Sequence, residues 1–273
     1  MLRINTNYAA SYASMAVSSS SKALDGAMEK LSSGLRINFA KDDAAGQAIA
    51  TRLNAEIMGL NRATKNAADV RNGVAVGDSA LKEVAGLLLR SRELSVAAAT
   101  ATFSASDRVS MNAEFYQMVE QITVIGETTE VAGIKLFEDK FVSFQIGANS
   151  GDTFTVESRS FSTAGLSQSG FLMGDILTTS SAQQNILSMD AALATVNTFR
   201  SNLASTANRM EHVMSNLDQI RLNLNTSRGR IIDTDYAKET TELAKNQILQ
   251  QVGIAMIAQA NTSKASLRVL LGN

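Results

Sequence analysis

The chain has no cysteine, no proline and no tryptophan in 273 residues, and a single histidine. Without cysteine there is no disulfide framework and no thiolate metal site. Without proline the residue that most strongly breaks helices is missing, so very long uninterrupted helices are permitted. Aromatic residues make up only 5%, although hydrophobic residues reach 45%. The apolar content is therefore carried largely by alanine, valine, leucine and methionine, which suits close helix–helix contact better than a thick mixed core. Neither sign of charge is in excess: 25 basic and 26 acidic residues give a net charge of −1. No basic stripe is left over for nucleic acid. No stretch approaches the ~20 apolar residues of a membrane-spanning helix. The opening Met1-Leu-Arg-Ile-Asn-Thr-Asn7 lacks the apolar core of a cleaved leader, so any route out of the cell is expected not to depend on one.

What the chain does have is heptad-like spacing. From Gln183 onward, apolar residues fall at Ile186, Met189, Leu193, Val196, Leu203, Met210, Leu217 and Leu224. Steps of three, four or seven sustained over that length predict one long helix with a coiled-coil seam. Ser181-Ala-Gln-Gln184 reads as the capping box that opens it. A second segment carries Met111, Phe115, Met118, Ile122 and Ile125, with Ser106 or Asp107 as its cap. A third, from about Asp43 to Ala99, carries Ile49, Leu53, Ile57, Leu60, Val70, Val74, Leu81, Val84 and Leu88. Glycines at 59, 73, 77 and 86 predict that it is not straight throughout. The same stripe appears near the start in Leu24, Met28, Leu31 and Leu35, and near the end in Leu243, Ile248, Val252 and Met256.

Only one region departs from this pattern. Phe141–Gly147 and Thr153–Val156 alternate at period two around Asn149-Ser-Gly-Asp152, a β-hairpin signal near 141–156. Residues 158–181, rich in serine, threonine and glycine, read as a short variable loop. The expected fold is mainly α, a long antiparallel helical coiled-coil bundle with a small β-hairpin region and paired N- and C-terminal segments. Residues 9–23 are almost all Ala, Ser, Tyr, Met and Val, with Lys22 the only charge. A helix that buries so little does not offset its own ordering entropy, so it is expected to order only against a partner.

The inventory for catalysis is thin. His212, the one histidine, lies inside a helical repeat with no triad partners near it in the pattern. Asp42 and Asp43, like Asp233 and Asp235, fit helix N-caps better than a carboxylate pair or a metal site. No phosphate loop of the Walker type occurs. No catalytic, cofactor or metal role is assigned.

Several motifs, in order along the chain, are similar to those of bacterial flagellins. They are Ile4-Asn-Thr-Asn7, Leu31-Ser-Ser-Gly-Leu-Arg-Ile-Asn38 with Ala40–Ala50, Arg90-Ser-Arg-Glu-Leu-Ser-Val96 and Phe144-Gln-Ile-Gly-Ala-Asn149. On the C-terminal side they are Gly229–Ala237, Gln247-Ile-Leu-Gln-Gln251 and Ala258-Gln-Ala-Asn261. Phe39 stands where a small polar residue is more usual, and the last twelve residues lack the family's common proline. The resemblance implies a short form without large outer domains, which polymerises into the extracellular flagellar filament used for swimming. It implies residues 1–42 and 233–273 as two halves of a terminal coiled-coil domain, disordered in the monomer, and 43–232 as a helical rod domain. Leu24, Met28, Leu31, Leu35, Leu243, Ile248, Val252 and Met256 are then the expected polymerisation interface.

Implied partners are sister copies, an export chaperone and type III export apparatus, hook-associated and cap proteins, and, in animals, the Toll-like receptor for flagellin. For that receptor the matching positions are Arg90, Glu93, Leu94 and Glu114, while Leu89 replaces a commoner glutamine. The serines and threonines of 158–181 are candidates for O-glycosylation by the same resemblance. The neighbouring readings are a hook–filament junction protein and a secreted helical adhesin or effector.

Overall fold

A computed structural model of the chain describes residues 6–138, 140–158 and 174–270. Five helices are found among them: α1 Tyr8–Ser33, α2 Ala44–Ala98, α3 Ala105–Thr128, α4 Thr179–Ile232 and α5 Tyr236–Leu270. Between α3 and α4 lie four short strands, β1 Glu130–Val131, β2 Ile134–Lys135, β3 Lys140–Gln145 and β4 Thr153–Ser158. They form two separate antiparallel hairpins, β1 with β2 and β3 with β4. In the second, Val142 faces Val156 and Phe144 faces Phe154, as the period-two alternation predicts. The first hairpin turns through Ala132 and Gly133, both at positive φ. Most of the predicted variable loop, residues 159–173, lies outside the described residues, as do 1–5 and 271–273.

The chain separates into two compact units, Met1–Ala55 with Asn223–Asn273 and Glu56–Leu222. In the second unit the heptads close on each other. Leu81, Val84 and Leu88 of α2, Phe115 and Ile122 of α3, and Met189, Val196 and Met210 of α4 are all fully buried in one cluster. A large side chain withdrawn fully from water contributes about 1.5–3 kcal/mol, and here the large residues recur at almost every turn. Polar pairs set the direction of packing. Arg92 reaches Asp190 (2.7 Å), Arg200 reaches Asp78 (2.8 Å), and Arg221 donates to Asn61 (2.7 Å). As the α2 partner falls in number the α4 partner rises, so these two helices are antiparallel. The β-hairpins cap the same core through Phe137 and Phe154, both buried, with Phe137 edge-on to Phe199.

Helix boundaries follow local capping and correct two expectations. The cap of α3 is Ser104, not Ser106 or Asp107. Its side chain accepts from Asp107 N–H while the Asp107 carboxylate accepts from Ser104 N–H, a reciprocal box. The helix α4 opens at Thr178, whose hydroxyl accepts from Ser181 N–H (3.1 Å) while Ser181 Oγ accepts from Thr178 N–H. Ser181 is therefore the fourth residue of the box and not its first. The helix α2 is continuous across its glycines, with all 55 residues from Ala44 to Ala98 in one helix. Asp43 caps its start, accepting from Gly46 N–H (2.8 Å).

Candidate assembly surfaces

In the first unit α1 and α5 lie side by side. The chain enters α1 through Asn7, whose side chain accepts from Ala10 N–H (3.2 Å) and donates to the Ala260 carbonyl (3.2 Å). It leaves at Gly34, in the left-handed conformation that terminates helices most cheaply in a residue without Cβ. Asp235 starts α5 by accepting from Ala237 and Lys238 N–H. Across the gap the chain makes a short antiparallel bridge, Arg36 N–H to the Ile232 carbonyl (2.7 Å) and Thr234 N–H to the Gly34 carbonyl (3.0 Å). The Lys30–Glu239 ion pair (2.8 Å) then fixes the first turn of α5 against the last turn of α1. Residue numbers run oppositely along the pair, so Asn7 meets Asn261 and Ser21 meets Gln250.

The seam of this pair has heptad spacing but mixes small and polar side chains with a few aliphatic ones. In α1 the sheltered positions are Ala10, Ala13, Val17, Ser20, Leu24, Ala27 and Leu31. In α5 they are Glu239, Leu243, Asn246, Gln250, Gly253, Ile257 and Ala260. Gly253 is required by close approach, because a Cβ built there would fall inside the van der Waals radius of Val17 Cγ2. Among the described residues, Ala27 is the only apolar one of this seam that is buried.

The eight residues predicted for polymerisation divide accordingly. Leu24, Leu31 and Leu243 are half-buried in the intramolecular seam. Leu35, also half-buried, lies in the bridge opposite Asp233. Met28, Ile248, Val252 and Met256 are 52–60% exposed. Helical geometry at about 100° per residue places Ile248, Val252 and Met256 in one stripe on the side of α5 away from the seam. A matching stripe that sequence reasoning missed runs along α1 through Tyr8, Tyr12 and Met15, all exposed. Its signal was a four-then-three spacing of large apolar residues, hidden among alanines and serines.

The predicted receptor surface falls in the second unit. Arg90 bridges Glu93 (2.8 Å) and Glu114 (3.0 Å), joining α2 to α3 on an exposed face. Hydrogen bonds that Arg90 donates to Glu93, then to Glu114, raise its pKa above the ordinary value. Leu94 does not share that face. It is 7% exposed and belongs to the core cluster, so it supports the surface from beneath instead of presenting it. Elsewhere, Asp42 closes the turn before α2 by accepting from Asn38 and Phe39 N–H. Phe39, the unusual residue there, is half exposed with Lys41 over its ring. His212 is exposed on α4.

Comparison with known proteins fits this geometry. The pattern of the bacterial flagellin N-terminal helical region matches residues 4–141, and that of the bacterial flagellin C-terminal helical region matches residues 186–271. A flagellin of Halalkalibacterium halodurans is 40% identical over 247 residues, 90% of either chain. Among solved structures, the crystal structure of Bacillus cereus flagellin is 28% identical and superposes with a TM-score of 0.50, covering 56% of this chain and 88% of that one. A putative flagellar hook-associated protein from Vibrio parahaemolyticus reaches a TM-score of 0.59 at 13% identity, covering 70% of this chain and 100% of that one. At that identity it shares the fold alone.

Proposed function

We infer how this molecule works from the premise that the chain belongs to the bacterial flagellin family. It is a structural subunit of the extracellular flagellar filament and serves motility, not catalysis. The finer mechanism proposed is assembly by coupled folding. Residues 1–42 and 233–273 form a terminal coiled-coil domain, and 43–232 form a rod. The seam between α1 and α5 offsets little of the ordering cost, about 1–2 kcal/mol per residue for the backbone alone. The apolar stripes of Met28, Ile248, Val252 and Met256, with Tyr8, Tyr12 and Met15, then bury against sister copies, and Leu24, Leu31, Leu35 and Leu243 hold the pair that presents them. Repeated head-to-tail contacts that do not close generate an open helical tube.

One observation carries this reading: the terminal pair closes on small and polar residues with a few half-buried aliphatic ones, and leaves Tyr8, Tyr12, Met15, Met28, Ile248, Val252 and Met256 exposed. A soluble chain gains from that arrangement only when something covers the stripes. Removal of residues 1–20 is expected to leave the second unit folded by circular dichroism and unable to form filaments under electron microscopy. Normal filaments from that truncation would overturn the mechanism.

The remaining partners belong to the same proposal. The chain leaves the cell through a type III export apparatus, with a chaperone on α5 beforehand, and meets hook-associated and cap proteins at the filament ends. Arg90, Glu93 and Glu114 form the contact for the Toll-like receptor, with Leu94 beneath them. Purified monomer is expected to activate reporter cells, and Arg90→Ala with Glu93→Ala to reduce the signal. A silent wild-type monomer would refute that contact. The 40% identity to a flagellin across 90% of both chains favours the filament subunit over the hook–filament junction protein.

A further inference from the structure

We propose that Met15, Met28 and Met256 are oxidation sites that control assembly: a peroxide converts them to sulfoxides in the free subunit and so blocks its incorporation, whereas incorporation shields them. This rests on the reading of the terminal stripes as sister-chain contacts.

The distribution of methionine is the starting observation. Every described methionine of the terminal unit is well exposed, at 56–66%. In the other unit Met189 and Met210 are fully buried, and Met111, Met118 and Met214 are half-buried, with Met58 the exposed exception. Placement adds to exposure. Met15 shares its stripe with Tyr8 and Tyr12, and Met256 shares its own with Ile248 and Val252. Met28 sits at the rim of the α1–α5 seam, one turn from Leu24. A thioether is the one apolar side chain that a mild oxidant turns polar without breaking the chain.

The chemistry balances with the peroxide as the only co-reactant. A sulfur lone pair attacks one peroxide oxygen, the S–O bond forms and the O–O bond breaks. The proton on the attacked oxygen passes to the departing one, which leaves as water. Sulfur loses two electrons and the peroxide gains them. In the free chain the new S=O group faces solvent and is hydrated. Between sister chains it would replace a methionine packed among the apolar residues of these stripes. Burial of an unpaired polar group is then expected to raise the critical concentration for polymerisation about ten-fold per sulfoxide. A methionine sulfoxide reductase, using a thiol as electron donor, reverses the change.

The test treats the full-length monomer with graded hydrogen peroxide, maps added oxygen by peptide mass spectrometry and measures polymerisation by sedimentation. Met15, Met28 and Met256 should be oxidised before Met189 and Met210, and the oxidised chain should assemble only at raised concentration. Reductase treatment should restore it. The variant M15L/M28L/M256L, close in volume, should assemble before and after peroxide. Filaments treated intact should retain the three sites reduced. Normal assembly of the oxidised wild-type chain would overturn the proposal, as would equal loss in the leucine variant. Should that variant fail to assemble untreated, reductase rescue of the wild-type chain decides alone: no rescue overturns the proposal. Failure of the untreated wild-type chain to polymerise would refute the interface reading itself.

Discussion

The two units of this chain use one spacing rule and reach opposite results. In the second unit, positions three and four apart hold Leu81, Val84, Leu88, Met189, Val196 and Met210, and the seam closes with those side chains fully buried. In the terminal pair the same spacing selects Ala10, Ala13, Ser20, Asn246, Gln250 and Gly253 together with Val17, Leu24, Leu31, Leu243 and Ile257, which are only half-buried, while Ile248, Val252 and Met256 point away. Periodicity decides that a helix has a partner. Side-chain size on each face decides whether that partner is within the chain or outside it. Large inner residues make a self-sufficient unit, whereas small inner residues with large outer ones leave apolar surface exposed.

The change expected to break this contrast most strongly is Val252→Asp. A carboxylate forced unpaired into an apolar contact costs about 3–5 kcal/mol, which raises the critical concentration by more than about two decades. The melting of the second unit, followed by circular dichroism, should not move. Retained polymerisation at wild-type concentration would mean that the outward stripe of α5 contacts nothing. Next in size is a matched pair of truncations. Leu88→Ala removes a fully buried side chain and is expected to cost about 2–5 kcal/mol of unfolding free energy. Leu24→Ala removes a half-buried one from the terminal seam and should cost under about 1.5 kcal/mol, because far less area returns to water. Equal costs in chemical denaturation would erase the distinction between the units.

Much of the fold was legible because large apolar residues at helical spacing mark a seam whatever surrounds them. Met189, Val196, Leu203, Met210 and Leu217 were predicted to line one face of a long helix, and all are buried. The β3–β4 hairpin was legible from alternation. The β1–β2 hairpin was not, since strands of two residues carry no period. Cap positions slipped by a few residues because serine, threonine and aspartate cluster before both helices and any of them can cap. Burial of Leu94 was hidden for a related reason. Its neighbours on the sheltered side, Ser91 and Ser95, are polar yet fully buried, with Ser95 Oγ donating to the Ser91 carbonyl. The pairing of the terminal segments was legible from Leu24, Leu31 and Leu243, but the small and polar members of their seam were not, because alanine, serine, asparagine and glutamine look like a solvated face until the partner helix is placed beside them. The expected interface therefore mixed residues that hold the pair together with residues that the pair displays.

The smallest expected effect sharpens the comparison from its other side, by asking what the two units have in common. Each contains an aspartate that closes a turn at the start of a helix. Asp42 in the terminal unit is held below its ordinary carboxylate pKa of 3.8, first by the Phe39 N–H. Asp107 in the second unit is held below the same value, first by the Ser104 side chain. In both, folding favours the charged form, so their contribution is complete above the ordinary value and is lost as pH falls through the lower, folded one. Acidification below about 4 should therefore speed amide exchange at residues 38–42 and 104–108 together. Asp42→Asn and Asp107→Asn should each abolish the pH dependence at their own turn only. Because both groups sit on exposed turns, this loosening should be local and alike in the two units, however different their seams. If acid instead loosened α1 and α5 while leaving residues 104–108 protected, charge and not side-chain size would be what separates the two regions.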